Sequence, residues 1–398
     1  MTLKKEASNC KQASIKFLRD LISLSSTSTN EKHVANRMIK EMNKLGFYKA
    51  FSDDYGNVIG QIGTGPVKIV FDGHIDTVDV GNEKNWPYDP FRGKIENGFI
   101  YGRGACDNKN ANVVQVYGAY IFKKLYPELL NKISIYVVGS IQEEDCDGLG
   151  LKFALQKSIN NVNYVCLGES TNLNIYRGHR GRMEIKVSVI GKSCHGSTPD
   201  RGDNAIYKMT KLISDIKMLN KQLINDDFLG KGTCAVTFIK CETPSLCSIP
   251  DKCSIHIDRR LTTGENKNIA IQQIMNLNSF NKKTMKVEIL KYDTPSYKNK
   301  IIKTEKYYPT WILNEDHPLV QAGICAAKEI LDKKPIISRW IFSTNGVSSM
   351  GKLNIPTIGF GPGMEEDAHT VNDRVKIDDL IYAIAFYANL PTKILKIK

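Results

Sequence analysis

The sequence predicts an α/β protein: a mostly parallel sheet covered by helices, with a smaller α+β unit inserted into it. Three observations carry this. Short β-branched runs alternate with helical periodicity over residues 1–178, the pattern changes to β-α-β-β-α-β over 179–295, and helix and strand resume over 296–398.

Val34, Met38, Ile39, Met42 and Leu45 recur at helical spacing, with Thr29 or Asn30 able to cap the start and Gly46 placed to end the turn. Strands are expected at 57–62 and 67–71, a helix at 111–125 and a further strand at 133–141. Alternation of this kind implies parallel strands covered on both faces. In the insertion, 182–190 alternates like a half-exposed strand, followed by a helix at 205–219, strands at 233–239 and 253–260, a helix at 269–277 and a strand at 287–290. That order is the ferredoxin-like unit. The last part adds elements at 318–331, 336–342, 355–360 and 377–388, completing the outer sheet.

The chain has 398 residues, and at about 150 residues per domain this favours more than one. Its 41% hydrophobic and 24% charged residues are ordinary globular usage. No stretch approaches the ~20 apolar residues of a membrane span, and no apolar run follows Lys4 and Lys5, so a cytoplasmic protein is expected. The ten cysteines form no C-x-x-C pair and are expected to be reduced. A formal charge of +13 raises nucleic acid as a partner, but the lysines are scattered and no basic stripe with interleaved aromatics appears. A solvated lysine-rich surface, able to attract anionic substrates, is the expectation.

The chemistry-bearing residues fall at strand ends. The run Phe71-Asp72-Gly73-His74-Ile75-Asp76 ends a buried strand in H-x-D, so one residue can bind a metal while the other orients it. Asp107 lies in Gly102-Arg103-Gly104-Ala105-Cys106-Asp107-Asn108-Lys109, between a strand and a helix. Gln142-Glu143-Glu144 follows another strand, so one carboxylate can bind metal and its neighbour can handle a proton. Gly168-Glu169-Ser170 follows a third, and His369 sits in a loop after Gly361-Pro362-Gly363. Singly, each admits a plainer reading: a structural histidine, a helix N-cap or an acidic surface turn. Together, His74, Asp107, Glu144, Glu169 and His369 give two histidines and three carboxylates at one sheet edge, a donor set suited to two zinc ions. His33, His179, His256 and His317 lack the strand-end setting and suit surface or packing roles, and Cys106, Cys146 and Cys194 suit small filler.

In order, G-H-I-D-T-V, G-R-G-A-C-D-N-K, Q-E-E, G-E-S, G-K-S-C-H-G and G-P-G with A-H-T resemble the co-catalytic di-zinc amidohydrolases and metallopeptidases. These include acetylornithine deacetylase, succinyl-diaminopimelate desuccinylase, aminoacylase and glutamate carboxypeptidase. The resemblance spans nearly the whole chain. It implies a zinc-peptidase-like catalytic domain at 1–178 and 296–398 and an inserted lid and dimerisation domain at 179–295. It implies two Zn²⁺ per subunit, replaceable by Co²⁺ or Mn²⁺, with Asp107 bridging, Asp76 behind His74, and Glu143 activating a water shared by the ions. His195 matches a histidine that reaches a partner subunit's site in a homodimer. Arg260, ten positions after Pro250, matches an arginine that grips a substrate carboxylate.

Three positions depart from the common pattern: Cys247 stands for Asn, Asn345-Gly346 for Asp-Gly, and Asn108 for Met. All three are expected near substrate, with Asn345 and Gly346 as contacts, so the substrate cannot be copied from those enzymes. The stretches 258–265 and 338–346 resemble most a bacterial subgroup labelled selenium-metabolism hydrolases. The implied activity is hydrolysis of an N-acyl, carbamoyl or peptide bond in a small amino-acid-derived substrate bearing a carboxylate. A catalytically silent metal binder and a basic nucleic-acid-binding protein are the alternatives.

Overall fold

A computed structural model describes residues 2–397. Nine strands form the main sheet, running Lys49–Ser52, Val58–Ile62, Ile133–Ser140, Val67–His74, Tyr164–Leu167, Thr357–Gly359, Ile175–His179 and Trp311–Ile312, with Ile337–Trp340 also on Ile175–His179. The four strands from Ile133–Ser140 to Thr357–Gly359 are mutually parallel. Antiparallel strands flank them on both sides.

The parallel strands are apolar on both faces because both faces are covered. In Val67–His74, Ile69 and Phe71 enter one core while Val70 enters the other. The first core is closed by the helices Lys109–Leu125 and Ile377–Ile394, which pack together, and the second holds Trp311 and Trp340. Because Lys109–Leu125 is sandwiched here, its buried side is continuous from Lys109 to Ala119 rather than a stripe. The final helix runs past the expected 388 to Ile394, through Pro391, because Leu390 and Ile394 still reach the core.

The helix Lys32–Lys44 starts after Glu31, and neither Thr29 nor Asn30 caps it as expected. Buried Glu31 instead accepts the backbone N–H groups of Thr29 (3.0 Å) and Gln142 (3.1 Å), tying the helix start to the turn before Glu143.

The second sheet is wholly antiparallel, in the order Met285–Ile289, Gly181–Ile190, Lys252–Leu261, Thr233–Glu242. Numbered along the chain this is 4-1-3-2, the ferredoxin-like order. Met183, Ile185, Val187 and Val189 face the helices Ala205–Gln222 and Lys267–Met275 in a separate core, while Arg182, Glu184 and Lys186 lie on the opposite face. Tyr307–Tyr308 also pairs with Gly181–Ile190, so this sheet recruits residues beyond 295. No helix among the described residues is long and apolar enough to cross a membrane.

Candidate active site

The C-terminal ends of the parallel strands open on a cleft of about 330 Å³ lined by His74, Asp107, Glu143, Glu144, Glu169 and His369. His74 ends its strand, Glu143 and Glu144 lie in the turn after Ile133–Ser140, and Glu169 follows Tyr164–Leu167. The chain approaches Glu169 so closely that a Cβ on Gly361 would lie 2.4 Å from the Glu169 carbonyl oxygen, which only glycine avoids.

His74 is buried, and its Nδ1–H donates to the Asp76 carbonyl oxygen at 2.9 Å. This bond sets the tautomer and turns Nε2 toward the cleft, 2.9 Å from Asp107 Oδ1 and 3.7 Å from Glu169 Oε1. His369 Nε2 lies 3.1 Å from Asp107 Oδ2 and 2.9 Å from Glu144 Oε2. Each oxygen of Asp107 therefore meets a different histidine. One half of the cluster is His74 and Glu169, the other His369 and Glu144, with Asp107 between.

Glu143 and Glu144 diverge as the sequence suggested: Glu143 Oε2 points toward His74 at 4.0 Å, Glu144 toward His369. The turn is held from below by Asp76, whose carboxylate accepts the N–H groups of Glu143 (3.2 Å) and Glu144 (3.1 Å) and the Ser28 hydroxyl (2.7 Å).

Burial pushes the Glu169 carboxyl up to about 8 against the pull of His74, and pushes Glu143 well above the carboxylate range. Hydrogen bonds to Asp107 and Glu144 raise His369 to about 10. For Asp107, burial acts upward, but the hydrogen bonds from His369 and His74 outweigh it and hold the carboxyl below its usual range. So many buried carboxylates are costly unless cations share them. The donors are imidazole nitrogen and carboxylate oxygen without thiolate, and ligand atoms of His74, Asp107 and Glu144 lie within 4.8 Å of one another. Such a set fits divalent ions of the zinc, cobalt and manganese type.

Arg260 reaches the same cleft, its Nε 2.7 Å from Asp258 Oδ1. Asn345 and Gly346 do not, contrary to expectation. The Asn345 amide is buried and donates to Asp72 Oδ2 and Ser140 Oγ (both 2.8 Å), while its carbonyl accepts from Gly148 N–H at 2.7 Å. Gly346 is pressed against Trp311, where a Cβ would come within 2.5 Å of the ring. Both serve packing behind the sheet edge, and Phe342 and Ser343 line the cleft in their place. His195 lies in an exposed loop, bonded to Ser197 Oγ at 2.7 Å, and is not among the residues lining its own chain's cleft.

His179 is a packing residue: its Nδ1–H donates to the Arg180 carbonyl (2.8 Å), its Nε2 accepts the Thr344 N–H (3.1 Å), and burial lowers it to about 4. Buried Cys106 lies against Ser170, its thiol pushed well above the usual value by burial.

Sequence reasoning missed Asp147, which lines the cleft, and three further charged groups. Asp373 accepts the N–H groups of Gly104 (2.7 Å) and Cys106 (2.6 Å) and pairs with Arg103 (3.2 Å), holding the loop that presents Asp107. Arg182 lines the cleft, bonded to Asp147 at 2.8 Å and stacked over Tyr308. Glu365 lines it too. Outward alternation along the strand could have exposed Arg182, but nothing local marks the others.

A model of peptidase family M20/M25/M40 matches residues 70–393. The uncharacterized protein YgeY of Escherichia coli strain K12 is 43% identical over 376 residues, covering 94% of this chain and 93% of that protein. Succinyl-diaminopimelate desuccinylase of Wigglesworthia glossinidia brevipalpis is 26% identical over 402 residues, covering 96% and 98%. Among solved structures, aminopeptidase PepT of Bacillus cereus has a TM-score of 0.74 at 18% identity, covering 96% of this chain and 98% of its own. The YXEP protein of Bacillus subtilis, described as a dinuclear metal binding peptidase, has a TM-score of 0.72 at 15% identity, covering 98% and 100%. Fold, clustered donors and whole-chain similarity lead to one conclusion: this chain belongs to the peptidase family M20/M25/M40, a family of metallo-hydrolases.

Proposed function

We propose that the chain hydrolyses an N-acyl, carbamoyl or peptide bond in a small amino-acid-derived substrate that carries a carboxylate. The observation that supports this most is Asp107, whose two oxygens face two different histidines within one carboxylate-rich cleft. In this reading His74, Asp107 and Glu169 would hold one zinc ion and His369, Asp107 and Glu144 a second, with Co²⁺ or Mn²⁺ as replacements. Divalent ions there would supply Lewis acidity and lower the pKa of a water.

Glu143 is the general base. It takes a proton from the attacking water at its carboxylate and delivers it to the leaving amine. Its buried place at the cleft, with Oε2 turned toward His74, suits a group that must carry a proton between two steps. Asp76 keeps His74 and the Glu143 turn in register, and Arg260 anchors the substrate carboxylate.

We assign residues 179–295 to a lid and dimerisation domain. Its edge strand Thr233–Glu242 exposes Phe238 and Ile239, which supports pairing with a second copy. The exposed His195 would then serve the partner's cleft and steady the oxyanion. Ten free cysteines fit a reducing, cytoplasmic setting.

The test is product analysis by mass spectrometry on N-acyl amino acids, carbamoyl amino acids and dipeptides, with metal content measured on the same sample. Glu143→Ala should lower turnover by at least about 10²–10⁴-fold while metal content is unchanged. Full activity in that variant would exclude the mechanism. A silent metal binder would load metal and turn over nothing.

A further inference from the structure

Of the charged side chains lining the cleft, nearly all have a partner. His74, His369, Asp107, Glu144 and Glu169 face one another, Glu143 faces His74, Arg182 is bonded to Asp147, and Arg260 to Asp258. Glu365 is the exception. Among the described residues its side chain has neither an ion pair nor a hydrogen bond, and its Oε1 is buried without a donor. It sits in the short turn Glu365–Asp367, between the Gly361-Pro362-Gly363 loop and His369. Burial pushes its carboxyl up to about 7, with Arg339 opposing. A buried acceptor of this kind needs a donor, and a cationic donor is best because it also restores the charge.

The opposite charge in the cleft is equally limited. Arg182 is committed to Asp147 and sits over the Tyr308 ring, whereas among the described residues Arg260 pairs with Asp258 in its own strand and is part-exposed. The cleft thus offers its occupant one guanidinium and one unpaired carboxylate. A volume of about 330 Å³ is at the small end for a ligand site, which suits a substrate the size of a dipeptide.

We propose that Glu365 is a specificity residue that receives a positively charged amino group, so that the substrates are zwitterions bearing an ammonium at Glu365 and a carboxylate at Arg260. This rests on the reading of the cleft as an amide-hydrolase site. Blocking the amine would leave the Glu365 carboxylate without a cationic partner. A second substrate carboxylate in its place would meet repulsion rather than a free guanidinium.

The experiment compares matched pairs on the metal-loaded enzyme: dipeptides with a free amino terminus against the same dipeptides N-formylated, which keep the scissile bond and the carboxylate. The free form should have a kcat/KM at least about tenfold higher, as expected for a charge-assisted pair. Glu365→Gln should bring that ratio close to one, and Glu366→Gln at the exposed neighbouring position should keep it. Equal or better cleavage of the formylated member, or a ratio that survives Glu365→Gln, overturns the proposal. If no pair is cleaved at all, it is the hydrolase reading that fails. Equilibrium binding of both members to the metal-loaded Glu143→Gln variant then still decides the proposal, tighter binding of the free form supporting it and equal binding refuting it.

Discussion

The Asp76 carboxylate accepts the backbone N–H of Glu143 at 3.2 Å while the Asp76 main-chain carbonyl holds Nδ1 of His74 at 2.9 Å. One residue therefore sets both a candidate ligand and the candidate base. Asp76→Ala keeps the carbonyl that orients His74 but removes the carboxylate that holds the Glu143–Glu144 turn. A loss of about 10–100-fold in metal affinity or activity is expected, the usual cost of removing a group behind a ligand. Metal content and turnover measured together check this, and a variant normal in both would show that the turn holds itself.

The cluster also predicts how acidity governs stability once metal is stripped. Glu169 holds its proton more tightly folded than unfolded, with a pKa of about 8 against 4.5, so its effect on stability worsens as pH rises between those values. The contribution of His369, raised to about 10 from 6.5, is complete below 6.5 and is lost as pH rises toward 10. Asp107, held low, contributes throughout that range and loses its effect only in acid. The Tm of metal-stripped protein should thus fall from about pH 5 to pH 9, and zinc should raise it and flatten the slope. Parallel curves with and without metal would contradict a buried cation site.

Asn345 bridges Asp72, Ser140 and Gly148 rather than touching the cleft. Asn345→Ala leaves the buried Asp72 carboxylate, already raised to about 6 by burial, without its amide donor. A loss of about 2–3 kcal/mol in unfolding free energy is expected, the cost of a buried unpaired acceptor. Denaturant melts measure it. Normal stability with a large rise in KM would instead restore a substrate-binding role.

For Arg260, truncation to Ala should raise KM by about 10–100-fold for substrates with a free carboxylate, matching the loss of a charged hydrogen bond. Lys should rescue only part, because it cannot reproduce the planar fork. Equal losses on the methyl ester of the same substrate would remove the carboxylate from the account.

Much of the architecture was legible because the signals are local. The continuous apolar runs of the parallel strands, the period-2 alternation of Gly181–Ile190, the helical spacing after residue 30 and the β-α-β-β-α-β order each report burial over a few neighbouring residues. Strand ends at a parallel sheet's C-terminal edge share one side, so His74, Glu143, Glu144 and Glu169 could be grouped before any contact was seen. What the sequence by itself determined is this framework and the chemical types gathered at its edge. The tertiary structure alone decided which oxygen of Asp107 meets which histidine, that Asn345 turns inward, that Arg182 is bound to Asp147 while Glu365 has no partner among the described residues, and that His195 stays outside its own cleft. Those outcomes depend on loop direction and on charges brought in from distant segments, which long-range packing sets and local periodicity does not encode.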